Sequence, residues 1–227
     1  MSDPSVPLAT RSLTRVVDGT PLVEDITVEV ETGDVFVVFG PSGSGKSTLL
    51  RLLNRLDEPT CGTVLLDGTD YRSLPPRTVR RRVGLVPQQP ALRDGTVAQN
   101  VTWGPRLRDA PVDPDRMAEL LDRLGLAGFE ERDADDLSGG EAQRVAIART
   151  LFNDPEIVLL DEPAASLDAA AADRVEALLA DVMAAYSLTA VLVTHDAARA
   201  HRLGTRGVRL ENGQVVQNGA IDDVVGE

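Results

Sequence analysis

Nine consecutive residues constrain this chain more than any others: Gly40-Pro41-Ser42-Gly43-Ser44-Gly45-Lys46-Ser47-Thr48. They complete a G-x-x-x-x-G-K-[ST] phosphate-binding loop. Residues 34–39 before it are a short, mostly apolar run of strand character, and residues 49–56 after it are apolar at helical spacing. An ordinary glycine turn ahead of a helix has no need of every fixed position together with both flanks. Glycines at 40, 43 and 45 let the backbone curl so that successive N–H groups face one anion. The following helix adds its unpaired N-terminal N–H groups. Lys46 is expected on the β- and γ-phosphates of a nucleotide, and the Ser47 hydroxyl on Mg²⁺.

Lys46 is also the only lysine of the chain, so 22 of the 23 basic residues are arginine. Against 36 acidic residues this leaves a net charge of −13, which argues against binding nucleic acid or anionic lipid by bulk charge. Many carboxylates, arginine in place of lysine and 3% aromatic residues read as a halophile surface. The alternative is a moderately acidic enzyme from a GC-rich genome. A chain of 227 residues suits one large domain, or a core with an inserted subdomain. Cys61 stands alone, which excludes a disulfide framework and a cysteine-based metal site; it reads as a small, partly buried turn residue. No stretch approaches the roughly 18 apolar residues of a membrane span. Residues 1–9 lack the basic-then-apolar pattern of a signal peptide, so a cytoplasmic location is expected.

Short strands are expected at 22–30, 35–39, 63–66 and 83–87, with Pro75-Pro76 breaking the chain before an arginine-rich stretch at 77–82. Residues 88–110 read as loop-rich. Helices are expected at 114–126 (Met117, Leu120, Leu121 and Leu124 on one face), within 137–152, and at 169–186. Residues 157–160 and 190–193 read as buried strands, and 207–216 as a hairpin turning at Glu211-Asn212-Gly213. Strands alternating with helices predict an α/β fold with a mostly parallel sheet.

The apolar run 156–160 ends in Asp161-Glu162-Pro163. Asp161 at a strand end can hold Mg²⁺ through water, and Glu162 can polarise an attacking water; two surface acids after a core strand would be the bland reading. Leu137-Ser138-Gly139-Gly140-Glu141 is by itself a good helix start, with a serine cap and an acid in the first turn. Followed by Gln143-Arg144, it resembles the signature of ATP-binding cassette (ABC) ATPases. The resemblance runs from about Leu13 to Val216 and includes six motifs in order. It implies that Ser138, Gly139, Gly140 and Glu141 contact the γ-phosphate held by a second copy. It implies that Gln88 senses Mg²⁺ and the membrane partner, with Gln89 as its alternative, and that Ser166 and Asp168 link the two sites across a dimer. His195 would be the switch histidine near the γ-phosphate. The implied fold is a RecA-like P-loop NTPase core with an antiparallel β subdomain and an α-helical subdomain inserted at about 89–152, all in one cassette over 1–227.

One position departs from that pattern. The family stacks adenine on an aromatic ring upstream of the phosphate loop, and the matching residue here is Val17. Loss of stacking predicts loose selection between ATP and GTP, with Arg15 or an apolar contact compensating.

The resemblance further implies ATP and Mg²⁺ as cofactors and a head-to-tail homodimer. It implies an integral membrane permease as partner, with a solute-binding protein as a further candidate, and a peripheral location on the cytoplasmic face of the membrane. The apolar residues Ala91, Leu92, Val97, Val101 and Trp103 would face a coupling helix of the permease, although Trp103 suits a core role equally. The competing functions are a soluble cassette ATPase in DNA repair or ribosome work, and a non-hydrolysing regulatory subunit. The first lacks its usual second cassette, coiled coils or zinc modules here; the second is disfavoured by Glu162 and His195. Residues 53–60 and 86–92 are similar to phosphate-type importer ATPases and to metal-exporter and metal-tolerance ATPases, so an inorganic ion is the expected cargo. The regulatory domain that follows the cassette in many sugar importers is not expected here.

Overall fold

The computed structural model describes residues 6–226. Residues 1–5, within the stretch where no signal peptide is expected, and residue 227, the end of the expected cassette, lie outside the described residues. The chain divides into two compact units. One contains the residues up to Leu85, Glu156–Asp161 and the residues from Leu188; the other contains Val86–Pro155 and Glu162–Ser187.

The first unit is built on two sheets. Strands β1 (Leu8–Val17), β2 (Thr20–Ile26), β3 (Glu29–Val30), β5 (Cys61–Leu66) and β6 (Thr69–Asp70) form an antiparallel sheet in the order β2-β1-β5-β6, with β3 also on β1. The second sheet contains β4 (Val35–Phe39), β7 (Val83–Val86), β8 (Ile157–Asp161), β9 (Thr189–Thr194), β10 (Arg206–Glu211) and β11 (Gln214–Ala220). Its order is β11-β10-β4-β9-β8-β7. Strands β10, β4, β9 and β8 run parallel, and β11 returns antiparallel on β10. Helix α1 (Lys46–Leu53) lays Leu49, Leu50, Leu52 and Leu53 into a core with Phe36, Val38, Leu159, Val191 and Val193. Helices α2 (Pro76–Arg82), α8 (Ala197–Leu203) and α9 (Ile221–Val225) complete the unit. The continuous apolar runs of β4, β8 and β9 follow from burial on both faces, the usual condition of parallel strands.

The second unit is helical: α3 (Val97–Val101), α4 (Trp103–Arg106), α5 (Pro114–Arg123), α6 (Gly139–Leu151) and α7 (Ala169–Ala185). Helix α6 is its centre and is buried nearly all round, Gln143 and Arg144 included. This explains why its sequence shows no clear amphipathic stripe.

Several expectations are corrected. The single strand expected over 22–30 is two strands, broken at Thr27-Val28. Strand β1 escaped notice because LATRSLTRVV is half polar and bulged between Arg11 and Thr14. The loop-rich stretch 88–110 holds α3 and α4, too short to show a helical period, although Thr96 and Gln99 form a capping box ahead of α3. Cys61 is exposed and opens β5 rather than sitting partly buried in a turn. Val97 and Val101 are fully buried within their own unit, so they do not face a partner; Ala91 is exposed, and Leu92 is half-buried. Trp103 is also half-buried, with the Arg93 guanidinium 3.9 Å over its ring. Among the described residues no helix is long and apolar enough to cross a membrane.

Candidate nucleotide site

Three parallel strands of the second sheet end together. Phe39 of β4 is in register with Thr194 of β9, and Asp161 of β8 with Val193. The phosphate loop, Asp161 and His195 therefore leave the same carboxyl edge, where open α/β sheets bind their ligands.

The loop is shaped by its glycines. Gly40 has φ 153°, and a Cβ there would sit 2.2 Å from the Leu210 carbonyl oxygen. Gly45 has φ 101° and caps α1; its Cβ would meet the Leu22 carbonyl oxygen at 2.5 Å. Both positions exclude a side chain by backbone conformation and by contact. Pro41, Ser42 and Gly43 are exposed, Thr48 is half-buried, and Ser44 is buried with its Oγ unpartnered. The Lys46 side chain is buried, and its Nζ donates to the carbonyls of Gly40 and Pro41, each at 2.8 Å. The Ser47 hydroxyl donates to Asp161 Oδ1 at 3.0 Å, so the sheet edge brings these two predicted residues together.

A cavity of about 520 Å³ opens beside this loop. It is lined by Gly43, Gly45, Lys46, Ser47 and Thr48, and from other elements by Thr20, Pro21, Leu22, Asn212 and Gly213. Its size falls within the range of small-molecule sites. The second set of residues is what sequence reasoning missed; the Asn212-Gly213 turn was visible, but nothing marked it as part of a site. Val17, expected at the base, ends β1 opposite Thr20, is exposed, and is not among the lining residues. Arg15, its expected substitute, donates Nη1 to the Glu58 carbonyl at 2.8 Å.

Glu162 follows Asp161 with φ 45°, a left-handed conformation uncommon outside Gly, Asn and Asp. Strain of this sort concentrates at functional positions. His195 is exposed on the first residue beyond β9, and Asp196 behind it caps α8 by accepting from the Arg199 N–H.

In the helical unit, Ser138 caps α6. The Ser138 N–H and Oγ both donate to Glu141 Oε2, at 2.8 and 2.7 Å, and the Glu141 N–H returns to Ser138 Oγ. These bonds, with Arg132 beside them, hold the Glu141 carboxyl below its ordinary range. Arg144 donates Nε to the Gly140 carbonyl and Nη1 to those of Leu124 and Gly125, tying the first turn of α6 to the end of α5. Burial lowers its pKa. Gly139 is exposed, and neither it nor Gly140 is required by this fold. Added Cβ atoms would lie at ordinary contact distances, 3.6 Å from Leu167 and 3.5 Å from Ala171. Gln143 donates to the Pro87 carbonyl at 3.1 Å, fixing the backbone just before Gln88. Gln88 and Gln89 are both exposed, so exposure does not separate them. Asp168 caps α7 by accepting from the Ala171 N–H, and Ser166 is exposed.

Residues 23–165 match the family model described as ABC transporter. The chain belongs to the ABC transporter family. It is 41% identical over 207 residues to ABC transporter I family member 17 of Arabidopsis thaliana, covering 90% of this chain and 79% of that protein. It is 40% identical over 231 residues to the phosphate import ATP-binding protein PstB 2 of Natronomonas pharaonis, covering 96% and 81%. Among solved structures, cbiO1 of Clostridium perfringens, part of the ABC transporter complex cbiONQ, superposes with a TM-score of 0.86. That match has 27% identity and covers 96% of this chain and 90% of cbiO1. These similarities establish the P-loop NTPase fold and an ATP-binding ATPase of the ABC class. The relatives are transporter subunits, which leaves the soluble repair or ribosome reading unfavoured.

Proposed function

We propose that this chain is the ATP-hydrolysing subunit of an ABC membrane transporter that moves a small solute, an inorganic ion. The observation that carries the catalytic part is the shared sheet edge, which brings the Lys46 loop, the Ser47–Asp161 pair and His195 together. Residues 40–48 hold the phosphates through backbone N–H groups and Lys46. Ser47 and Asp161 fit a hard cation, being adjacent oxygen donors, and with Gln88 they would hold Mg²⁺. When bound, the ion neutralises phosphate charge. Glu162 accepts a proton from water as the water oxygen attacks the γ-phosphorus; the bond to the bridging oxygen breaks, leaving ADP and phosphate. His195 orients the γ-phosphate.

Two copies are proposed to assemble head-to-tail, with Ser138, Gly139, Gly140 and Glu141 of each meeting the nucleotide of the other. The two glycines that the fold itself does not need support this, since they leave room for an approaching phosphate. Ser166 and Asp168 would connect the two sites. Residues 89–152, which form the larger part of the helical unit, are read as the inserted subdomain, facing a permease at the cytoplasmic side of the membrane. Ala91, Leu92 and Trp103 remain as its candidate contacts. A solute-binding protein would complete an importer. The phosphate importer among the relatives supports an ion as cargo. The acidic, arginine-rich surface is read as an adaptation to high salt.

Phosphate release from ATP by the purified chain tests the catalytic part. Lys46→Ala should lower turnover and ATP affinity at least 100-fold; unchanged turnover would overturn the assignment. Purification from native membranes in mild detergent and high salt tests the transporter part. A multi-span permease should accompany the chain; recovery only with ribosomes or DNA-processing proteins would refute it.

A further inference from the structure

The cavity beside the phosphate loop has a second wall whose chemistry has no assigned use. Thr20, Pro21 and Leu22 come from β2, and Asn212 and Gly213 from the turn between β10 and β11. Leu22 is 39% exposed, an apolar surface for something flat or hydrocarbon-like. Among the described residues, neither the Thr20 hydroxyl nor the Asn212 carboxamide makes a hydrogen bond.

This wall is held firmly. The Gly213 N–H donates to the Ser44 carbonyl at 3.0 Å, and the Gly213 carbonyl accepts from the Glu24 N–H at 2.8 Å. Gln214 Nε2 adds a bond to Glu24 Oε2 at 2.8 Å. A side chain at 213 would strike the Leu22 carbonyl oxygen at 2.8 Å. The turn is thus bonded on one side to the phosphate loop and on the other to β2, which fixes the backbone beside Asn212 on the cavity wall and leaves its carboxamide exposed. Asn212 and Gly213 have φ 49° and 80°, the left-handed pair that Asn-Gly supplies in a tight hairpin. Turn chemistry accounts for the Asn212 backbone and leaves the carboxamide to be explained.

We propose that Asn212 reads the base of the bound nucleotide and supplies the adenine selection that the missing aromatic ring does not. Val17 does not line the cavity, and the Arg15 guanidinium is engaged with the Glu58 carbonyl. A carboxamide presents an acceptor and a donor side by side, which complements the amino-and-N7 edge of adenine; guanine offers two acceptors there. Leu22 covers the face of the nucleoside, and Thr20 adds a polar contact. This inference rests on the nucleotide reading of the cavity and reverses the expectation of loose ATP/GTP selection.

Calorimetric titration of the full chain with Mg-ADP and Mg-GDP, probes that are not hydrolysed, tests it. The wild type should bind ADP more tightly than GDP. Asn212→Gly keeps the left-handed turn and removes the carboxamide, so ADP affinity should fall about tenfold, the scale of a good two-point base contact. GDP affinity should change little, and the melting temperature should hold. Asn212→Asp, which also tolerates this turn and removes the donors, should give the same loss of preference if the glycine variant folds poorly. Equal wild-type affinity for ADP and GDP, or parallel or absent losses in both variants, would overturn the proposal. Lys46→Ala separates the two levels. If it loses binding while Asn212→Gly does not, the nucleotide site stands and the base contact fails. If Lys46→Ala binds like wild type, the site itself is misplaced.

Discussion

The glycine-bearing junctions that lead into α1 and α6 are built on opposite principles. At the phosphate loop, Gly40 and Gly45 adopt positive φ, and each would drive a Cβ into a backbone carbonyl. The loop's own geometry forbids any other residue. At the start of α6, Gly139 and Gly140 have ordinary helical backbone and room for a methyl group. Their absent side chains serve nothing inside this chain. A glycine needed from within reports on folding; one that is spared from within leaves room for something arriving from outside, which in the proposed head-to-tail assembly would be the nucleotide of a second copy.

The largest effect expected concerns the reaction that would join the two junctions. Glu162→Gln should lower turnover by about 10² to 10⁴, the range of a lost general base, while nucleotide still binds. It should also trap an ATP-bound dimer, visible by light scattering; a variant that stays monomeric in saturating ATP would break the proposed link. Gly45→Ala comes next. The clash with the Leu22 carbonyl and the positive φ should cost about 1–3 kcal/mol of stability and remove nucleotide binding. A normal melting temperature with normal binding would remove the claim that this glycine is required from within.

Gly139→Ala sharpens the other side of the contrast. Inside a helix the change should be neutral or stabilising by up to about 1 kcal/mol, while ATP-dependent dimerisation and turnover fall. Dimerisation equal to wild type would return Gly139 to a purely local role. The smallest effect belongs to the cap of α6. Because the Glu141 pKa lies lower in the folded chain, its contribution is present above the unfolded carboxylate value and is lost as pH falls through the folded one. Glu141→Gln should therefore lower stability slightly near neutrality, where the carboxylate contributes, leave it unchanged in strong acid, and so flatten the fall between the two; an unchanged slope in acid denaturation would deny the cap that role.

The candidate site was largely legible in the sequence because its residues lie in contiguous motifs whose spacing reflects local backbone. Strand, loop and helix around Lys46 could be placed from nearest neighbours alone, as could the acid pair after 156–160 and the serine cap at 138. What escaped depends on partners distant in the chain. Strand β1 pairs with β2, β3 and β5 and carries no strong alternation of its own. Val97 and Val101, read as an exposed apolar surface, are core because α3 packs on α6, some forty residues away. Arg144 looked like part of a motif; its three carbonyl partners show that it fastens α6 to the end of α5.

The sequence by itself determined the family and the phosphate-loop motif, and it singled out the acids and the histidine as candidates, since each is encoded in a few adjacent residues with fixed stereochemical demands. Only the tertiary structure decided which side chains share the cavity with that loop. Thr20 and Asn212 are nearly two hundred residues apart and lie on different sheets; the Gly213 hydrogen bonds to Ser44 and Glu24, rather than any local pattern, bring β2 and the β10–β11 turn onto one wall.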